Sequence, residues 1–183
     1  MTTTLVLGGA RSGKSRYAEQ LLRGQAGVLY VAPGPAADRS DPEWADRVAA
    51  HRSRRPASWQ TLETGDLAGV LRTATRPVLI DCLATWLARS VDEAGAWEDR
   101  DRAGAHLGAL TRELVTAWRA ATVDVVAVTN EVGMAVVPAT ASGRLFRDEL
   151  GRLNAAVSAV SDRVALVVAG RVLDLSGCPV VEP

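Results

Sequence analysis

The sequence predicts an α/β fold, a P-loop NTPase-like, doubly wound and mostly parallel sheet with helices on both faces, and three observations predict it. Short aliphatic runs alternate with helix-like segments along all 183 residues. The runs are nearly continuous rather than alternately polar, which suits strands buried on both faces. The first of them leads directly into a glycine-rich octapeptide. Alternation of this kind favours right-handed crossovers, with helices packed on either side of the sheet.

The elements follow in order. Strands are expected at Thr3–Leu7, Val28–Ala32, Val78–Asp81, Val123–Thr129 and Val164–Ala169, with a short edge strand at Val172–Leu175. Between them, Leu107, Leu110, Leu114 and Trp118 form one helical stripe, and Phe146, Leu150, Leu153, Val157 and Val160 form another. Pro33 to Asp41 reads as a loop stiffened by Pro33 and Pro35. Asp92 to Arg102 is polar and reads as a mobile connector. Neither stretch is long enough for a domain linker, and no repeat is present, so residues 1–183 are expected to form one catalytic domain.

Composition narrows the function. The formal net charge is zero, so no global field attracts nucleic acid or an anionic membrane. The apolar runs are too short to span a bilayer. Thr3 to Leu7 reads as a strand rather than a signal peptide, so a cytoplasmic location is expected. The two cysteines, Cys82 and Cys178, lack metal-ligand spacing, and Cys82 at an apolar strand end reads as a buried, inert thiol. Twenty arginines accompany a single lysine, Lys14. A chain biased towards arginine keeps lysine where a compact ammonium is wanted between phosphates.

That lysine belongs to Gly8-Gly9-Ala10-Arg11-Ser12-Gly13-Lys14-Ser15, which matches G-x-x-x-x-G-K-[ST] at the required strand-to-helix junction. Glycines let successive N–H groups converge on phosphate, and the helix N-terminus adds its partial positive charge. Lys14 is expected to bridge the β- and γ-phosphates, and Ser15 to hold Mg²⁺. Pro77-Val-Leu-Ile-Asp81 is a hydrophobic strand ending in a carboxylate, the Walker-B pattern. It is expected to set Asp81 near the metal from the strand adjacent to the P-loop. No N-K-x-D motif identifies the base, so GTP and ATP both stay open.

Asp41-Pro42-Glu43 begins a helix well, with a cap, a proline in the first turn and an acid at the positive end. Trp44, Arg47, Val48 and His51 then share a face. Arg52, Arg54 and Arg55 follow and would hold the imidazole neutral and nucleophilic. From spacing alone, a surface histidine in an arginine-rich chain is the better reading. His106 lies beside the core stripe of its own helix and reads as structural.

Together these segments resemble one family, the bifunctional adenosylcobinamide kinase/adenosylcobinamide-phosphate guanylyltransferases of cobalamin synthesis. The likeness covers nearly the whole chain. It rests on the octapeptide, Val28-Leu-Tyr-Val-Ala32, Arg47-x-x-x-His51 with Arg55-Pro-Ala-Ser-Trp59, and Asp81-Cys-Leu. Thr129-Asn-Glu-Val-Gly-Met134 with Val137-Pro138, and Phe146-Arg-Asp148 with Gly151 and Asn154, complete it.

The resemblance implies a kinase step on the aminopropanol hydroxyl of adenosylcobinamide. It also implies attack by His51 on the α-phosphate of GTP, releasing pyrophosphate and leaving a histidine-GMP intermediate. GMP transfer then gives adenosylcobinamide-GDP. Splitting the transfer into two displacements makes each easier. The implied nucleotide contacts are Gly8 to Ser15, Pro33, Gly34, Pro35, Arg52, Ser53, Arg54, Arg55, Glu63 and Asp81, with Ser15 and Asp81 on Mg²⁺. A homotrimer is also implied.

The chain departs from the pattern in having Ala50 before His51, where some relatives carry a second histidine. Its Pro33-Gly-Pro segment supplies fewer N–H groups than an Ala-Thr loop would. Two other readings compete: a plain P-loop small-molecule kinase in which His51 is incidental, and a non-catalytic nucleotide switch.

Overall fold

The computed structural model describes residues 1–25, 27–34, 49 and 55–181. Its elements are β1 (Thr3–Gly8), α1 (Lys14–Leu21), β2 (Leu29–Ala32), β3 (Gln60–Glu63), α2 (Leu67–Thr73) and β4 (Val78–Asp81). They continue with α3 (Leu83–Ala94), α4 (Arg100–Arg119), β5 (Val125–Asn130), α5 (Ala141–Ser158), β6 (Arg163–Val168) and β7 (Arg171–Asp174). The strands form one seven-stranded sheet in the order β3-β2-β4-β5-β1-β6-β7. Every neighbouring pair is parallel except β6 with β7, which is antiparallel at the edge.

Side chains alternate across β1, and each face has its own core. Leu5 points to the layer holding α2, α3, α4 and α5, where it joins Ile80, Val125, Leu83, Leu114, Trp118 and Leu150. Val6 points the other way, with Leu79, Val126, Val128 and Val167 against Ala18 and Leu22 at α1. Each fully buried leucine contributes about 1.5–3 kcal/mol through area removed from water. The expected stripes face inward: Leu107, Leu114 and Trp118 are buried on α4, and Leu150, Leu153 and Val157 on α5. No helix among the described residues is long and apolar enough to cross a membrane.

The helix starts differ in an informative way. Asp66 caps α2 by accepting from Gly69 N at 2.8 Å, Asp99 caps α4 from Arg102 N at 3.0 Å, and Thr140 caps α5 from Gly143 N at 3.1 Å. Such a cap is worth about 1 kcal/mol. Helix α1 begins at Gly13 with no side-chain cap and no acid in its first turn. Its N–H donors and partial positive charge are left for an anion.

Three expectations need correction. Asp81 does not stand on the strand adjacent to the P-loop strand, because β5 pairs with both β1 and β4 and separates them. At about 4.8 Å per strand, roughly 10 Å of sheet lies between β1 and β4. The pattern of one strand cannot reveal its lateral neighbours. The expected Asp92–Arg102 connector is shorter, since α3 runs to Ala94 and α4 starts at Arg100. Ala96 is fully buried there, and the Trp97 indole N–H donates to Asp92. Finally, β3, α2 and α3 escaped the sequence reading: Gln60–Glu63 is an exposed edge strand, α2 has only seven residues, and the helix at Leu83–Ala94 is absent from the expected elements.

Candidate active site

The expected site residues that fall among the described ones gather on one rim, at the carboxyl ends of the parallel strands. Strand register sets their level. Ala32 lies beside Glu63, Val31 beside Ile80, and Asp81 beside Val128, while Asn130 lies beside Gly8. The rim therefore runs from Glu63 through Ala32-Pro33-Gly34 and Asp81 to Asn130, and then to the glycine loop.

The loop is tightly built. Gly8 is packed so closely that an added Cβ would lie 2.5 Å from Ser12 Oγ and 2.6 Å from the Val167 carbonyl oxygen. Ser12 N donates to the Gly9 carbonyl at 3.3 Å, and Gly170 N, from the β6–β7 turn, donates to the Ser12 carbonyl at 3.1 Å. Arg11 and Gly13 take positive φ of 55° and 100°, which turns the chain from strand to helix within five residues. Lys14 opens α1 and is only 7% exposed. Its ammonium donates to the Gly9 carbonyl at 3.0 Å, so the charge is held over the loop that it is expected to serve. Ser15 follows, half-buried, in the first turn. Ala10, like Arg11, is exposed on the outer side of the loop.

On β4, the Asp81 carboxylate accepts from the Tyr30 hydroxyl at 3.1 Å. Burial, and then the charge of Asp81, push the phenol far above its ordinary range, so Tyr30 stays a hydrogen-bond donor. The Arg55 guanidinium stacks over the Tyr30 ring at 3.6 Å from its centre, and donates to Thr61 Oγ1 at 2.9 Å. Tyr30 was not singled out as a site residue, although a phenol in an otherwise aliphatic strand was a legible signal. Glu63 is exposed at the end of β3, Pro33 is buried and Gly34 half-buried beyond β2.

Cys82 follows Asp81 and caps α3, together with Thr85. Burial and the Asp81 carboxylate raise its thiol, in agreement with an unreactive role. His106 is half-buried on α4. Pro35, His51, Arg52, Ser53 and Arg54 lie outside the described residues, as does most of the helix expected from Asp41.

The donors present fit a magnesium-nucleotide complex. Ser15 and Asp81 offer hard oxygens on the same rim, and no group of three or more potential ligands occurs among the described residues. Mg²⁺ is commonly held by one or two protein oxygens, with substrate phosphates and water completing its shell.

Comparison with known proteins adds the following. Residues 4–175 match the family described as "Cobinamide kinase / cobinamide phosphate guanyltransferase". The bifunctional adenosylcobalamin biosynthesis protein CobU of Escherichia coli is 37% identical over 175 residues, covering 91% of this chain and 95% of that one. The bifunctional adenosylcobalamin biosynthesis protein CobP of Pseudomonas aeruginosa is 39% identical over 183 residues, covering 96% and 98%. Among solved structures, an ATPase from a type III secretion system superposes with a TM-score of 0.57 at 11% identity. That match covers 90% of this chain but 50% of the ATPase, about half its length, and it concerns the fold alone.

Proposed function

The chain belongs to the cobinamide kinase / cobinamide phosphate guanyltransferase family, and from that premise we propose how its rim residues share the two reactions. The activities are those of the family: phosphorylation of cobinamide, and transfer of a guanylyl group to the phosphate so formed.

In the first reaction the acceptor is the aminopropanol hydroxyl of adenosylcobinamide, and the donor is the γ-phosphoryl of ATP or GTP. The loop Gly8 to Ser15 wraps the triphosphate, and Lys14 exchanges the Gly9 carbonyl for phosphate oxygens. Ser15 and Asp81 hold Mg²⁺, which neutralises charge on the phosphates when bound. Tyr30 orients the Asp81 carboxylate by the hydrogen bond already described.

In the second reaction His51 attacks the α-phosphate of GTP, pyrophosphate leaves, and GMP passes from the histidine to cobinamide phosphate. Pro33, Gly34 and Pro35, together with Arg52, Ser53, Arg54, Arg55 and Glu63, border the nucleotide from the β2–β3 side. The enzyme is proposed to work in the cytoplasm as a homotrimer.

The observation that carries this reading is the placement of Lys14 and Asp81 on one rim, with the helix that Lys14 opens left uncapped at its start. Parallel incubations with GTP and Mg²⁺ test it, one with adenosylcobinamide and one with adenosylcobinamide phosphate. The first is expected to give the phosphorylated corrinoid, the second pyrophosphate and the GDP-linked corrinoid. Phosphorylation without guanylyl transfer would leave a plain kinase. Slow hydrolysis with no acceptor product would leave a nucleotide switch.

A further inference from the structure

The segment Thr129-Asn130-Glu131 begins one of the motifs that carry the family resemblance, yet the scheme above gives it no task. It ends β5, the strand that separates the P-loop strand from the Asp81 strand. Asn130 lies level with Gly8, and Glu131 N donates to the Gly8 carbonyl at 3.2 Å. The end of β5 is thereby tied to the first residue of the phosphate loop.

The peptide of Asn130 is also fixed from behind. Thr129 Oγ1 donates to Asn154 Oδ1 at 2.7 Å, and Asn154 Nδ2 donates to the Asn130 carbonyl at 3.0 Å. Thr129 is fully buried and Asn154 is 5% exposed. Buried polar pairs stabilise little compared with apolar packing, but a fully satisfied one fixes geometry. Here it holds a residue whose own carboxamide makes no hydrogen bond among the described residues. Asn130 is half-buried at the centre of the rim, between the Lys14 loop and Asp81.

We propose that the Asn130 carboxamide donates a hydrogen bond to the γ-phosphoryl group of the bound triphosphate, making Asn130 a catalytic residue of the kinase reaction, with Asn154 as its positioning residue. The proposal rests on the two family activities and on the P-loop as the triphosphate site. In the kinase step the acceptor hydroxyl oxygen forms a bond to the γ-phosphorus, and the bond from that phosphorus to the β–γ bridging oxygen breaks. The electron pair leaves with the nucleoside diphosphate, and the hydroxyl proton is released to water. Charge shifts over the γ-oxygens during this step, where a neutral, preorganised N–H donor is most effective. In guanylyl transfer the α-phosphorus reacts and the γ-phosphate leaves within pyrophosphate, so the same donor matters less.

The test uses the full chain with Mg²⁺ and follows each reaction separately: phosphorylation of cobinamide, and guanylyl transfer from GTP to cobinamide phosphate. Asn130→Ala is expected to lower the kcat of phosphorylation by about 100-fold, while the kcat of guanylyl transfer at saturating GTP changes by less than about fivefold. Its preference for GTP over GDP should shrink by about tenfold, with GDP affinity retained, as for the loss of one hydrogen bond to a charged group. Asn130→Asp keeps the shape but sets a carboxylate against phosphate, and should lose phosphorylation at least as far. Asn154→Ala should show the same split at smaller size.

Equal loss of both reactions with an unchanged GTP/GDP preference, in either Asn130 variant, would reduce the residue to a structural role. Unchanged phosphorylation would overturn the proposal outright. Absence of both reactions in the wild-type chain would instead refute the functional reading beneath it.

Discussion

Replacing Gly8 by alanine would set a methyl carbon 2.5 Å from Ser12 Oγ and 2.6 Å from the Val167 carbonyl oxygen. The serine can rotate, but the carbonyl cannot, because Val167 is paired with Gly8 in the parallel ladder of β1 and β6. Overpacking usually costs 1–3 kcal/mol, and an immovable backbone partner points to the upper part of that range, about 2–3 kcal/mol. For a chain of this size that corresponds to a fall in Tm of about 4–12 °C. Gly9 is the control. A methyl group there meets no atom within 4 Å, and its φ is not left-handed. Gly9→Ala should therefore be neutral, or more stable by up to about 1 kcal/mol through the unfolded chain. Thermal unfolding followed by circular dichroism, with and without a non-hydrolysable GTP analogue, reads both variants. The Gly8 variant should also lose the stabilisation that the analogue gives to wild type. Wild-type Tm in Gly8→Ala, or an equal fall in Gly9→Ala, would refute this account of the loop.

Three further outcomes are expected. Lys14→Ala should lower both reactions by at least about 100-fold in initial-rate assays, because the same phosphates need neutralising in each; Lys14→Arg should not restore them, since the guanidinium is wider and planar. Asp81→Asn should need about 10- to 100-fold more Mg²⁺ for half-maximal rate, with an unchanged far-ultraviolet spectrum; a defect insensitive to Mg²⁺ would exclude the metal role. His51→Ala should lose the acid-labile, alkali-stable adduct formed with labelled GTP while still phosphorylating cobinamide, and His106→Ala should lose neither.

The buried strands were readable because burial on both faces leaves long aliphatic runs, as in Thr3–Gly8 and Val125–Asn130. The phosphate loop was readable because its backbone needs fixed glycine positions. What could not be read was lateral order. Nothing in Val78–Asp81 records that β5 rather than β1 lies beside it, so the distance between the metal carboxylate and the loop emerged only from the sheet. Strand β3 was hidden for the opposite reason: an exposed edge strand such as Gln60–Glu63 has no need of an apolar pattern. Tyr30 and Asn154 act by supporting other residues, and such support depends on contacts between segments 51 and 24 residues apart. The motifs carrying His51 and Asn130 were legible as patterns, but only the placement of β5 suggests a distinct task for the second.

The solitary lysine has a practical side. Among twenty guanidiniums, which amine-specific acylating reagents pass over, the chain offers such a reagent one side-chain target besides its α-amino group. That target is 7% exposed and hydrogen-bonded to the Gly9 carbonyl. A second added tag in the intact-protein mass would therefore report one event, the escape of Lys14 from its loop. Because bound phosphates would hold the same ammonium, the rate at which the second tag appears should fall as nucleotide fills the site, which reports occupancy with no label on the nucleotide and no catalytic turnover.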